Sequence, residues 1–260
     1  MDDPTKKHKT IASVQKALDI LNLFEGSRAE LGNAEIAKLV NLPVGTVSGL
    51  VYTLRVNHYL DQNHVNRKYR LGLKLAERAA VLLDQLDLRT IAAPYLEKLR
   101  EWCGESVNLA IVDEQEVVYI ERLFGKHALA IRSELGKRAP IYSTALGKVI
   151  TAYLPPSEIQ TYLNHTDFLP ITRYTITDAE RFQEELTRIR KDGFSIDEEE
   201  NEMGGRCIAA PIFDHDCRPI AAISVSVPIQ RLPREQVPAL SEKIKEVAFA
   251  ISKDLGYLPK

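Results

Sequence analysis

Thr46, Ser48, Tyr52 and Arg55 fall within one short segment, VNLPVGTVSGLVYTLRV at residues 40–56, and offer three hydroxyls and a guanidinium. Groups of this kind bond to phosphate oxygens and to base edges. Arg67, Lys68 and Arg70 follow close behind, and Lys6, Lys7, His8 and Lys9 precede them. The chemistry on offer is recognition of a polyanion. The charge balance agrees. The 260 residues carry a formal net charge of −2, but residues 1–76 hold eleven Lys/Arg against seven Asp/Glu, a net of +4, leaving −6 on the remainder. A small basic module joined to a larger acidic part suggests two different partners.

The elements that must position these groups are readable from periodicity. Val14, Ala17, Leu18, Leu21 and Phe24 keep a three-four spacing, with Ser13 expected as N-cap and Gly26 beyond the end. A second helix starts near Asn33 and turns Ile36, Ala37 and Val40 inward. Asn41-Leu42-Pro43 makes a tight turn, with Pro43 at home in the first turn of a third helix. In that helix Val47, Leu50, Val51 and Leu54 form the buried stripe. A step of 100° per residue puts Gly45, Ser48, Gly49, Tyr52 and Val56 on the opposite face, flanked by Thr46, Thr53 and Arg55. A helical glycine costs roughly 1 kcal/mol against alanine, so Gly45 and Gly49 point to a backbone that must come close to something. Two short strands around residues 62–67 complete a hairpin. Three helices and a hairpin spell a winged helix-turn-helix. Its DNA contacts are expected from Thr46, Ser48, Gly49, Tyr52 and Arg55 on the third helix and Arg67, Lys68 and Arg70 on the wing. A plain solvated face on a three-helix bundle is the alternative; the basic hairpin and basic N-terminus weigh against it.

Residues 73–88 continue as a helix with an apolar ridge at Leu75, Ala79, Leu82, Leu83 and Leu86, suited to another copy or the next domain. From residue 88 the pattern changes. Helices are expected at 87–102, 144–153, 178–191 and 235–255. Strands are expected at 107–112, 117–123, 129–135, 207–213 and 219–228. Strands paired as hairpins with helices between them predict an antiparallel α+β domain. Alternation puts Ser224 and Ser226 on one sheet face, with Ile223, Val225 and Val227 on the other.

Several function classes fall away. No run of 18 apolar residues exists, and MDDPTKKHKT has no apolar h-region, so neither a membrane span nor a secretory signal is expected. Cys103, Cys207 and Cys217 form no paired framework, which suits reduced thiols in a cytoplasm. STALGKV resembles the end of a phosphate-binding loop, but Tyr142 stands at its first glycine and Val149 at its Ser/Thr. No GxSxG, HExxH or GxGxxG is present. A Cys207 nucleophile would need a histidine that no spacing supplies. No catalytic residue and no cofactor are expected. Asp214, His215, Asp216 and Cys217 cluster as metal ligands might, yet acids at a hairpin bend are simpler turn chemistry; no metal is expected.

Over residues 10–258 the chain resembles the IclR family of bacterial transcriptional regulators. The resemblance rests on SVQKALDILNLF, LPVGTVSGLVYTL and YRLGLKL, then APIYSTALGKVITAYL, DGFSIDEEENEMGGRCIAAPIFD and PIAAISVSVP, in that order. The wording of the later motifs is closest to repressors of 2-keto-3-deoxygluconate and hexuronate catabolism. The family often has lysine or serine after the proline and arginine in mid-helix, where this chain has Val44, Gly45 and Gly49. The resemblance implies an α+β protein: a winged helix-turn-helix over residues 10–72, a linker helix over 73–88 and a GAF/profilin-like effector domain over 89–258. It implies a repressor on a palindromic operator in double-stranded DNA, acting as a homodimer or a homotetramer built as a dimer of dimers; an activator is the alternative. The implied effector is a small carboxylate metabolite. Its site residues, matched motif by motif, are Ala145 and Leu146 at a helix N-terminus suited to a carboxylate, Asp197, Cys207, Ser224 and Ser226, with Ile131 as apolar wall. Gly205 stands where relatives carry a bulky apolar residue. Without the resemblance, the two serines fit a solvent-facing strand equally well, and Cys207 is ordinarily a small buried apolar group. The acidic run 197–202 is expected to be a solvated loop, with only Asp197 functional.

Overall fold

The computed structural model describes residues 10–25, 29–84, 87–127 and 134–258. The chain divides into two compact units, Met1–Gln85 and Leu86–Lys260. No single helix among the described residues is long and apolar enough to cross a membrane.

The first unit runs α1 (Ala12–Leu21), α2 (Asn33–Leu39), α3 (Val44–Val56), β1 (Leu60–Gln62), β2 (Tyr69–Leu71) and α4 (Lys74–Asp84). Ile20, Ile36, Val47, Val51, Leu54 and Leu60 close its core. α2 and α3 meet at 110°, the geometry of a helix-turn-helix. Asn41 makes that turn with φ of 52°, a left-handed conformation asparagine tolerates. The α2 N-terminus is held by Glu35, whose carboxylate accepts the Gly32 N–H at 2.7 Å. β1 and β2 pair antiparallel, and Tyr69 extends the pairing to Leu31. Gly72 is forced by packing, because a Cβ there would lie 2.1 Å from the His58 carbonyl oxygen.

Two expectations for α1 are corrected. Ile11, not Ser13, is the N-cap, and no side chain caps it. Val14 and Leu18 are exposed, while Ile20 is fully buried. The inward edge of α1 is centred on Ile20, with Ala17 and Leu21 partly buried beside it, so the apparent stripe straddles the surface. Gly26, and the α4 ridge residues Leu82, Leu83 and Leu86, fall outside the described side chains.

The second unit begins with α5 (Asp87–Cys103), β3 (Ser106–Asp113), β4 (Glu116–Leu123), β5 (Arg138–Pro140), α6 (Ala145–Ala152), α7 (Pro156–His165) and α8 (Ala179–Asp192). It continues with β6 (Ser195–Glu198), β7 (Gly205–Phe213), β8 (Pro219–Pro228) and α9 (Val237–Asp254). The six strands are ordered β5-β4-β3-β8-β7-β6, and every pairing is antiparallel. One sheet face, with Val107, Leu109, Ile223 and Val225, packs on α5 and α9. The other, with Ala209 and Ala222, packs on α6, α7 and α8. The α+β architecture follows from this: hairpin strands alternate in burial between two helical layers.

Two local expectations differ, and a third can be followed only in part. Of the strand expected at 129–135, residues 129–133 lie outside the described set and residues 134–135 are not in a strand; the edge strand beside β4 is β5. The Pro155-Pro156 pair does not only end α6. Pro156 opens α7, because a missing N–H costs nothing in a first helical turn. The acidic run is not a solvated loop: Asp197 lies in β6, and both Asp197 and Glu200 are buried.

Candidate functional site

On α3, Val47 and Val51 are fully buried, whereas Val44, Tyr52 and Val56 are about half exposed. A Cβ built on Gly45 or Gly49 meets nothing within 4 Å. Neither glycine is demanded by the interior. Ser48 is partly committed, its Oγ accepting from Asn33 Nδ2 at 3.3 Å. Thr53 Oγ1 donates to the Gly49 carbonyl at 2.9 Å. Arg55 lies over the Tyr52 ring, 5.6 Å from its centroid. Thr46 is exposed.

The wing cations are not equivalent. Arg67 is exposed in the turn with φ of 61°. Lys68 pairs with Glu35 at 3.1 Å and Arg70 with Asp61 at 2.7 Å. Such exposed pairs are worth ~0–1 kcal/mol, so a phosphate can replace the carboxylate. Glu30 had no part in the sequence expectations, yet it fixes the wing turn by accepting from Asn63 Nδ2 at 3.0 Å and Asn66 Nδ2 at 2.7 Å. Those two bonds hold its carboxyl below the usual range.

In the second unit, Ala145, Leu146, Asp197, Cys207, Ser224 and Ser226 line one cavity of about 50 Å³. Its roof is the start of α6. Thr144 caps that helix, its Oγ1 accepting from Gly147 N at 3.1 Å. The Ala145 and Leu146 amides have no carbonyl inside the helix to bond, and they carry the positive end of its dipole. Gly147 lets α6 press onto the preceding segment, since a Cβ there would lie 2.5 Å from Ile141 Cα.

The floor is the sheet. Register pairs Asp197 with Cys207, Cys207 with Ser226, and Asn108 with Ser224. Asn108, which sequence pattern did not single out, is buried and donates to Ser224 Oγ at 3.2 Å and Ser226 Oγ at 3.1 Å. The Cys207 thiol donates to Ser226 Oγ at 3.2 Å. Burial raises its pKa far above the ordinary thiol value, so it is a thiol rather than a reactive thiolate. Gly205 also lines the cavity, and strand alternation aims its missing side chain at the Cys207 face. Lys137 and Glu202, both exposed, flank the mouth. Ile131 lies outside the described residues.

Asp197 is the ionisable group of the floor, 5% exposed. One of its oxygens accepts from Glu200 N at 2.7 Å and Asn201 N at 3.2 Å. Burial pushes its pKa up to about 7, against the pull of Lys148 and those amides and with a push from Glu200. Lys148 is fully buried; its Nζ donates to Glu200 Oε1 at 2.5 Å, Ile196 O at 2.6 Å and Glu185 Oε1 at 3.4 Å. The lysine that resembled a phosphate-loop cation therefore ties α6 to α8 and β6. Lys148→Met strands the buried Glu200 carboxylate, while Glu185 keeps its pair with Arg188, and a loss of about 3–5 kcal/mol in urea unfolding is expected. In the Asp214–Cys217 turn, His215 and Asp216 approach to 3.5 Å, and no group of three metal-holding side chains occurs among the described residues.

A winged helix-turn-helix with one open helix face, in one chain with an α+β unit that holds a polar cavity, defines a DNA-binding transcriptional regulator with an effector domain. The family model of the IclR helix-turn-helix domain matches residues 13–64, and that described as bacterial transcriptional regulator IclR C-terminal matches residues 80–253. The chain belongs to the IclR family. It is 38% identical over 247 residues to the HTH-type transcriptional regulator XynR of Escherichia coli K12, covering 95% of this chain and 98% of that one. It is 33% identical over 255 residues to KdgR of the same organism, covering 98% and 97%. Among solved structures, an IclR homologue from Microbacterium hydrocarbonoxydans complexed with 4-hydroxybenzoate superposes with a TM-score of 0.83 at 25% identity, covering 94% and 98%.

Proposed function

We propose that the protein represses a catabolic operon and answers to a small carboxylate metabolite, a keto acid or sugar acid, held in the cavity of the second unit. Residues 10–72 read DNA, 73–88 link, and 89–258 sense. The observation that carries this is the meeting of free helix-start amides with Ser224, Ser226 and Asp197 in one small polar cavity. The amides suit a carboxylate; the hydroxyls and the acid suit a second polar group on the same molecule. The relative crystallised with 4-hydroxybenzoate holds a carboxylate, and KdgR is among the similar regulators. Thr46, Ser48, Gly49, Tyr52, Arg55, Arg67, Lys68 and Arg70 form the DNA face. Two such faces in a homodimer, or in a tetramer of two dimers, meet half-sites of a palindrome about 34–36 Å apart or a multiple of it. Effector and operator then alter each other's affinity by the same factor.

A thermal-shift screen of keto and sugar acids tests the sensor. A ligand at 100 times its Kd adds about 2.7 kcal/mol, and Ser224→Ala should erase the shift while the lost Asn108 hydrogen bond lowers the ligand-free melting temperature by only about 2–4 °C per kcal/mol. A full shift in that variant would move the site elsewhere. Operator affinity should fall steeply between 50 and 200 mM salt; a flat profile would remove the phosphate contacts.

A further inference from the structure

The outward face of α3 lacks the side chains that distinguish three of the four bases. In the major groove, Arg or Lys reads guanine, Asn or Gln adenine, and Asp or Glu cytosine, while thymine is read by apolar contact with its methyl group. The first two turns of a recognition helix meet the base edges. Here they hold Val44, Gly45, Thr46, Ser48 and Gly49, followed by Tyr52. None is an amide, an acid or a cation. The one cation of α3, Arg55, sits in the last turn against the Tyr52 ring. Ser48 already accepts a bond from Asn33 and Thr53 spends its proton on the Gly49 carbonyl. What the start of α3 and its outward face present is apolar: Val44, the first residue of the helix, at 52% exposure, the Tyr52 ring at 59%, and the methyl of exposed Thr46.

The glycines belong to the same device. Valine and threonine reach only a short way past Cβ, so they touch a base edge only if the helix backbone itself sits deep in the groove. Gly45 and Gly49, each with open space where a Cβ would be, remove the side chains that would hold it off.

We infer that α3 recognises its operator by packing Val44 and Thr46 against thymine methyl groups, with Gly45 and Gly49 setting the depth. This rests on the DNA-binding reading of the first unit. It explains at once why the helix start has exposed apolar groups, no amide, acid or cation, and two glycines that no internal contact requires.

The test is selection of binding sites from a random duplex library with the full chain, then resynthesis of the enriched duplex with deoxyuridine at each thymine. Uracil differs from thymine only by the major-groove methyl. Anisotropy titration at one fixed salt concentration should give thymine-rich half-sites and a loss of about fourfold for each contacted methyl. Val44→Ala and Thr46→Ser, both at exposed positions, should each abolish the uracil penalty at one base pair of each half-site and leave it at the others. Enriched guanine or adenine positions indifferent to uracil overturn the inference and leave DNA binding intact. So does a uracil penalty unchanged in both variants, which is readout of DNA shape. No duplex binding at all overturns the DNA-binding reading itself.

Discussion

Gly49→Glu abolishes operator binding and leaves the protein folded, with a melting temperature equal to or slightly above that of the parent. The two halves of this expectation rest on different observations. A Cβ on Gly49 meets no atom within 4 Å, so a glutamate side chain enters solvent without displacing anything. Exchanging a mid-helix glycine for a good helix former stabilises by about 0.5 kcal/mol. Against DNA the same carboxylate lies on the outward centre of α3, where the duplex presents two rows of phosphates. Like charges brought together across an interface cost several kcal/mol, which corresponds to at least about a hundredfold loss of affinity. Gly49→Ala separates bulk from charge: a methyl that only lifts the helix should weaken binding less than glutamate does. Circular-dichroism melting and anisotropy on one preparation check both halves. A cooperative fold lost in Gly49→Glu, or operator affinity within a few-fold of the parent, would contradict the assignment of this face.

The outline of that face was legible because it depends on short-range periodicity. Val47, Val51 and Leu54 recur at helical spacing and are buried together, and the turn and the wing hairpin follow from Asn41-Leu42-Pro43 and residues 62–67. The misreadings have a common cause in contacts distant along the chain. The run 197–202 looks like solvated acid; what buries Glu200 is Lys148, more than fifty residues earlier, on a helix that packs over β6. Asn108 joins Ser224 and Ser226 only because β3 and β8 are sheet neighbours. Lys68 and Arg70 read as free cations until the fold brings Glu35 and Asp61 beside them. Val14 and Leu18 keep a perfect helical spacing with Leu21 and are exposed nonetheless, since spacing fixes a stripe but not which of its edges faces the core.

Asp197→Asn should stabilise the second unit, and the gain should grow with pH. In the fold the carboxyl titrates at about 7, raised from 3.8 chiefly by burial. Below 3.8 the group is protonated whether the chain is folded or not and its ionisation costs nothing. Between 3.8 and 7 the unfolded chain releases a proton that the folded chain keeps, so stability declines as pH rises. Above 7 the decline is complete, at a cost on the order of 4 kcal/mol at most. Asparagine keeps an oxygen to accept the Glu200 and Asn201 amides and never ionises. The difference in urea-unfolding free energy between variant and parent should therefore widen from pH 4 to pH 7 and then level off. The groups facing Asp197 temper the slope: Lys148 and the Glu200 and Asn201 amides favour its charge, while the Glu200 carboxylate opposes it. Under the proposed function the same proton governs the ligand. A neutral Asp197 donates a hydrogen bond to a bound carboxylate or hydroxyl, whereas the ionised form repels the carboxylate. Effector affinity of the parent should thus weaken as pH passes through 7, and that of Asp197→Asn should stay level over the same range. A variant less stable than the parent at every pH would mean that Asp197 is ionised throughout and serves as a counter-ion to Lys148.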